Sequence, residues 1–207
     1  MKRLNNLYCK CCDLDNIINM TDVVLKNVKD KKKVDRFESY KMEHVINIKN
    51  RLDNRNFRFD NYNIFMISDP KYRIVMSQNI EDKIINHLVA KYILVDVFDN
   101  CLVDSSVATR VGKGTSYGIK LLLKYLNKLK GKNFYVLKVD ISKYFYSIDH
   151  DVLKDILEKK IKDKDALDIL YSIIDSTNKE YINKCISILK NNRINTMSDK
   201  NKINELK

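Results

Sequence analysis

Apolar residues recur at helical spacing through most of this chain. Residues 13–28 carry Leu14, Ile17, Ile18, Leu25 and Val28, and residues 34–52 carry Phe37, Val45, Ile48 and Leu52, the pattern of helices that bury one face. The run Lys31-Lys32-Lys33 between them reads as a solvated connection. Residues 50–63, rich in Asn and Arg and broken by Phe57, Phe59 and Tyr62, read as an extended connector. Two short apolar runs, 63–68 and 72–77, flank Asp69-Pro70 and predict a hairpin, with Lys71 and Arg73 at its tip and on its second strand. Residues 80–95 predict a helix with Ile80, Ile84, Ile85, Leu88, Tyr92 and Val95 inward. Residues 116–130 predict another, with Ile119, Leu122, Leu123, Leu126 and Leu129 inward and Lys120, Lys124 and Lys128 on its other side. Residues 134–139 form a β-type run that ends in Asp140. Asp149 predicts the cap of a helix over 150–160, with Val152, Leu153, Ile156 and Leu157 on one face, and 165–176 predicts one more helix. Residues 178–207 are polar and rich in Lys and Asn, so weak order is expected there.

One proline and four glycines in 207 residues fit a mainly helical α+β fold. Lys and Arg number 39 against 27 Asp and Glu, a net charge of +12 that favours a polyanionic partner, most simply nucleic acid. The competing account is base composition: 31 of the 39 are Lys, and Lys, Asn and Ile are abundant throughout, as an AT-rich coding sequence would give. Cys9, Cys11 and Cys12 crowd together, but Cys101 and Cys185 stand alone and none of His44, His87 or His150 is paired, so a zinc site lacks its second ligand pair. With no apolar run of signal-peptide or membrane-spanning length, a reduced, cytoplasmic protein with no membrane partner is expected.

The chemistry concentrates in two segments. An apolar strand ending in Asp140 sets a carboxylate at a strand end, where a hard cation that handles phosphates finds oxygen ligands. Upstream, Gly112-Lys113-Gly114 joins a cation to glycines that permit close backbone approach. Gly-x-x-x-x-Gly-Lys-Ser/Thr is absent, which excludes a P-loop. Asp149-His150 reads as a helix cap and a first-turn residue, because no Ser or Cys nucleophile accompanies them.

The stretch 134–150, Phe-Tyr-Val-Leu-Lys-Val-Asp-Ile-Ser-Lys-Tyr-Phe-Tyr-Ser-Ile-Asp-His, resembles the first palm motif of prokaryotic reverse transcriptases of the group II intron-like and diversity-generating-retroelement-like lineages. Ser105 through Thr115, ending Arg-Val-Gly-Lys-Gly-Thr, resembles their fingers motif, and Tyr72-Arg-Ile-Val with the helix after it resembles their basic fingers hairpin. The likeness runs from about residue 1 to about residue 178.

The resemblance implies a role at each matched position. Asp140 is the catalytic carboxylate and, with the Ile141 carbonyl, a ligand of the magnesium ions (Mg2+) of the complete enzyme. Lys143 and Tyr144 meet the incoming deoxynucleoside triphosphate through their backbone, and Phe145 lies under its sugar as the gate against a 2′-hydroxyl. Lys71 and Arg73 contact the triphosphate or template, Arg110 shapes that pocket, and Lys113 lies near the nucleic-acid backbone. Two-metal phosphoryl transfer needs carboxylates to hold the ions, with Lys and Arg neutralising the rest of the charge. The implied partners are an RNA template, a DNA primer and deoxynucleoside triphosphates.

Downstream of Asp140 the chain departs from the family. From Asp140 to Lys207 no Asp-Asp pair occurs, so Tyr-x-Asp-Asp is missing, as are the Gly-rich segment and the thumb. Upstream, the fingers loop reads Ser105-Ser106-Val107 where relatives place an aromatic. One carboxylate cannot hold two metals. The expected architecture is therefore the fingers and first palm strand of a right-hand polymerase, incomplete: a helical N-terminal extension over 1–56, fingers over 57–133, the start of the palm over 134–177 and a polar tail over 178–207. The chain alone is expected to be inactive, as a gene fragment, a truncated product or one piece of a split polymerase whose palm and thumb come from a separate chain. Its rivals are a non-catalytic nucleic-acid-binding module and a helical interaction subunit.

Overall fold

The computed structural model describes residues 3–59, 61–68, 72–142, 144–177 and 179–195. It is the mainly helical α+β fold expected, with a single two-stranded antiparallel sheet among the described residues. Acidic and Asn caps set the helix starts, each satisfying a first-turn N–H that has no partner within its helix. Asp13 accepts from Asn16 N–H (2.9 Å) at the head of α2 (Leu14–Asn27), which follows the short α1 (Tyr8–Cys12). Asp30 caps α3 (Lys31–Ser39). The lysine run 31–33 is therefore the first turn of a helix and not a connection: Asp30 supplies a start signal that the charge run obscures. Residues 34–52 also break at Tyr40 (φ −124°, ψ 25°), where α4 (Lys41–Asp53) begins.

The strands are β1 (Tyr62–Ile67) and β2 (Arg73–Gln78), with Tyr62 opposite Gln78, Phe65 opposite Val75 and Ile67 opposite Arg73. After them α5 (Ile80–Val89), capped by Asn79, runs through a π-helical stretch, Ala90–Val95, into α6 (Asp96–Phe98) and a short 3-10 turn, Asp99–Cys101. The π stretch shifts the helical phase. Ile93 and Val97 therefore take the inward positions, and Val95, expected inside, is 46% exposed.

Helices α2, α4 and α5 pack together around Ile17, Val24, Val45, Ile48, Leu52, Ile84 and Leu88, all nearly or fully buried. Leu14, expected inside, lies at the first position of α2 and is exposed, while Met20 and Val24 face the core instead. From α1, Cys11 is fully buried, its thiol pushed up to about 12 by desolvation, and the Tyr8 hydroxyl donates to the Leu52 carbonyl at 2.7 Å. One buried charge pair crosses this layer: Arg51 donates to Asp82 at 2.7 Å, Asp82 being 2% exposed.

Beyond α8 (His150–Glu158) the chain returns to its own beginning. Leu4 pairs with the 160–162 segment through N–H to the Lys160 carbonyl (2.9 Å) and Lys162 N–H to the Leu4 carbonyl (2.7 Å). Asp163 then serves two helix starts. One carboxylate oxygen accepts from Leu7 N–H (2.7 Å) and Tyr8 N–H (3.0 Å) at α1, and the other from Ala166 N–H (3.2 Å) at the head of α9 (Lys164–Ile174). Weak order expected over 178–207 gives way to α10 (Glu180–Asn195), whose Ile182 is buried and which packs on β1. Its polar composition hides that one apolar contact. Residues 196–207 lie outside the described residues.

Three further expectations are corrected. Residues 134–139 form no strand and no other regular secondary structure, with Tyr135, Val136, Leu137 and Val139 exposed. β-type composition marks a segment that suits a pleated surface, and without a neighbour to complete the ladder no strand forms. Helix α7 (Thr115–Lys128) forms as predicted but buries none of its residues, and Ile119, Leu122 and Leu123 are each more than half exposed. In α8 only Leu157 of the expected apolar face is buried, while Val152 and Ile156 are exposed. Among the described residues, no helix is long and apolar enough to cross a membrane.

Candidate nucleotide and nucleic-acid site

Alternation along the hairpin gives it two unlike faces. Tyr62, Ile64 and Met66 are half-buried on the side that meets α10, and Asn63, Phe65 and Ile67 are exposed on the other. Arg73 sits directly opposite Ile67, so it belongs to the exposed face, at the turn end of the pair. Lys71 and the Asp69-Pro70 turn lie outside the described residues.

The loop 102–114 is organised by the two cations the sequence singles out. Arg110 Nε donates to Asp99 Oδ1 at 2.8 Å, and its terminal nitrogens reach the carbonyls of Asp99 (3.0 Å), Val103 (3.1 Å) and Ser106 (3.2 Å), leaving its side chain 10% exposed. Lys113 Nζ donates to Asp104 at 2.6 Å, and Tyr117 of α7 donates to the other oxygen of that carboxylate at 2.7 Å. Lys113 also lies 5.3 Å from the Tyr117 ring centre. These bonds hold the Asp99 and Asp104 carboxyls below the usual range, through Arg110 for the first and through Lys113 and then Tyr117 for the second. Gly112 and Gly114 both take positive φ (73° and 143°), with nothing within 4 Å of where a Cβ would stand, so the backbone here is open to an approaching group.

In this conformation Arg110 braces the loop, and an anion approaching Lys113 competes with Asp104. The Gly-Lys-Gly motif points to Arg110 and Lys113 but not to Asp99, Asp104 and Tyr117, which fix them. The available signal is charge order: Asp104 closes the acidic part of the chain before residues 105–139, which hold eight basic residues and no acidic one.

Asp140 and Ile141 lie in an exposed loop, and Phe145 projects from the 3-10 turn Tyr144–Tyr146, 84% exposed, with its ring edge-on to Tyr144 at 5.4 Å. Lys143 lies outside the described residues. Asp149 accepts from Asp151 and Val152 N–H at 2.9 and 3.1 Å, the cap the sequence predicts, and His150 opens α8 within 3.3 Å of Asp175. Arg73, Arg110, Lys113 and Asp140 make no hydrogen bond or ion pair with one another among the described residues.

The residues present do not fit a two-metal centre. Among the described residues no group of three or more His, Cys, Asp or Glu side chains gathers around Asp140 or elsewhere, and a lone exposed carboxylate leaves most of an octahedral shell to water. No step through a metal is derived for this chain.

No model of a known protein family matches the chain. No curated protein matches it either.

Proposed function

We propose that this chain is the N-terminal part of an RNA-directed DNA polymerase of the prokaryotic reverse-transcriptase type. It would carry the fingers hairpin, the Arg-Val-Gly-Lys-Gly loop and the first catalytic aspartate, in a form that does not polymerise by itself. The observation that carries the reading is the succession, in one order, of Arg73 on a basic hairpin, Arg110 to Gly114 in a glycine-rich loop, and Asp140 five residues before Phe145. Supporting it are the antiparallel pair that sets Arg73 on an exposed face and the hydrogen bonds that hold Arg110 and Lys113 in a defined loop. In the complete enzyme, template-directed transfer of deoxynucleotides would use two magnesium ions, with the remaining carboxylates supplied from outside this stretch of chain.

The experiment is primer extension on an RNA template with deoxynucleotides and magnesium. The chain alone gives no product. Fused after about residue 178 to the palm and thumb of a reverse transcriptase, it extends the primer. Asp140→Asn in that fusion abolishes extension, and Phe145→Ala retains it but admits ribonucleotides. Robust extension by the chain alone, or a fusion indifferent to Asp140→Asn, overturns the reading.

A second reading, a non-catalytic nucleic-acid-binding module, draws on the eight basic residues without an acid over 105–139 and on the single carboxylate at 140. Binding that falls steeply with salt and ignores both magnesium and nucleotide, together with an inactive fusion, would favour it.

A further inference from the structure

A trough of about 1190 Å3 runs between the α2–α3 junction, the exposed face of the hairpin and the first turns of α5. Small-molecule pockets span roughly 300–1,000 Å3 and are mostly enclosed and apolar. This one is larger and open, and it is edged with charge. Lys29, Lys33 and Arg36 stand along one wall and Lys83 on the opposite one, and none of the four has an ion-pair partner among the described residues. The two acids that share the walls are already engaged. Asp30 accepts the Lys33 backbone N–H as the α3 cap, and Glu81 holds His44 at 2.7 Å, with Arg51 at 3.5 Å. His44 is in turn stacked on Phe37 at 4.1 Å.

The hairpin adds groups of another kind. Asn61, Asn63 and Phe65 come from its exposed face and Asn27 from the end of α2, while the buried part of the lining is apolar, Val24 and Phe37. Amide side chains both donate and accept, as base edges do. An exposed aromatic ring offers a stacking surface that any base can use. Cations from the α2–α3 junction and from α5, exposed amides and a ring, and a volume beyond a small ligand together describe a polymer with regularly spaced negative charge and flat polar bases. We infer that this trough binds a single-stranded nucleic-acid segment, with Lys29, Lys33, Arg36 and Lys83 on its phosphates and a base stacked on Phe65. Arg73, two residues along the same face of the hairpin from Val75, extends the cationic path by about 7 Å. An acidic peptide would satisfy the cations but leave the exposed amides and the Phe65 ring without a purpose. The inference needs neither metal nor deoxynucleotide and does not rest on the polymerase reading, so a fusion that fails to extend primers leaves it standing.

The test is fluorescence anisotropy of the 207-residue chain with a short labelled oligouridylate at several salt concentrations. Lys29→Ala, Lys33→Ala and Arg36→Ala combined should weaken binding at least tenfold and reduce the log–log salt slope by about 2, since each phosphate contact on a single strand contributes about 0.7. Phe65→Ala should weaken binding several-fold at unchanged slope, which separates stacking from charge. The control removes equal charge elsewhere, Lys159→Ala, Lys162→Ala and Lys164→Ala, three exposed lysines outside both the trough and the 105–139 stretch, and circular dichroism confirms that each variant is folded. Wild-type binding by the trough variant, or an equal loss in this control, overturns the proposal. So does polyglutamate competing as well as unlabelled oligouridylate, which would mark the trough as a site for acidic peptides.

Discussion

Helices α5 and α7 carry the same kind of apolar stripe and end in opposite environments. In α5, Ile84, Ile85 and Leu88 are at most 2% exposed, because α2 and α4 lie against that face. In α7, Ile119, Leu122 and Leu123 are 52–57% exposed, and residues 133–141 after it carry no regular secondary structure. The difference is not in helix-forming tendency, since both helices form. It lies in whether other elements arrive to cover the stripe. Residues 8–98 supply their own neighbours: three helices meet, their buried hydroxyl and charge find partners, and the 160–170 segment closes over α1. Residues 99–117 are joined by the Asp99–Arg110, Asp104–Lys113 and Asp104–Tyr117 bonds that shape one loop, and these leave the apolar stripe of α7 exposed. Apolar spacing tells where a helix is and which side is apolar; burial is a property of the neighbours.

The largest effect that can break this comparison is in the packed body. Leu88→Ala should cost about 2–5 kcal/mol, as large-to-small changes at fully buried positions do. Equilibrium unfolding in urea measures it. A cost below about 1 kcal/mol, the level of ordinary surface changes, would mean that the α2–α4–α5 layer is no better packed than α7.

Next in size is the carboxylate that ties the chain's beginning to α9. Asp163→Ala removes the caps of two helices at once and leaves three backbone N–H groups without their acceptor. At about 0.5–2 kcal/mol for each cap, the loss should be about 1–4 kcal/mol. Asp163→Asn should fall between, since the amide keeps one accepting oxygen. Hydrogen exchange at the Leu7, Tyr8 and Ala166 amides locates the effect. Unchanged protection at all three in Asp163→Ala would remove this residue from the account.

The open region has its own, smaller handle. Asp99 and Asp104 are held below their ordinary value of 3.8 by Arg110 and by Lys113 with Tyr117. A depressed carboxylate stabilises the fold above its unfolded pKa, and that contribution is lost as pH falls through the lower folded value. The loop over 102–114 should therefore keep its order from neutral pH down to about 4 and loosen below it. The Arg110 Nε–H resonance reports this directly, and Asp99→Asn at neutral pH should reproduce its acid position. A transition near about 6.5 would implicate a histidine instead.

The same distinction governs how much of the molecule is legible in its sequence. The helices of the body, the hairpin and the Asp149 cap can be read from spacing and cap residues, because those signals are local. So can the interior positions Ile17, Ile48, Leu52, Ile84 and Leu88. The start of α3 at Lys31 hides behind a charge run, the exposure of Val95 depends on a π-helical turn that no periodicity announces, and α10 is anchored by one buried residue, Ile182, in a polar stretch. Of the candidate site, Arg73, Arg110, Lys113, Asp140 and Phe145 can be named from motif order. The acids that hold two of them cannot, since Asp99 and Asp104 act through pairings nine to eleven residues apart across an irregular loop. The trough beside Phe65 is also hidden, because its walls come from segments that the sequence separates by as many as 63 residues, from Val24 to His87.

The smallest expected effect is the most discriminating. Spacing alone assigns Leu122 of α7 to an interior stripe, for which Leu122→Ala would cost as much as Leu88→Ala. The structure leaves Leu122 57% exposed, with its side chain making little contact that alanine would lose. Exposed substitutions away from caps and networks stay within about 0.5 kcal/mol, and alanine is the better helix former by a small margin. Leu122→Ala and Lys124→Ala should therefore be indistinguishable in urea unfolding of the chain alone, both inside that limit. The comparison sharpens in the fusion that the proposed function calls for, where a palm and thumb would lie against α7. In the fusion that adds a palm and thumb, Leu122→Ala should become destabilising while Lys124→Ala stays neutral, because only an apolar side chain gains from being covered. If Leu122→Ala is costly in the chain alone, the stripe of α7 is already buried in solution and the contrast with α5 fails. If it is harmless in an active fusion as well, α7 is a surface helix whose leucines await no partner.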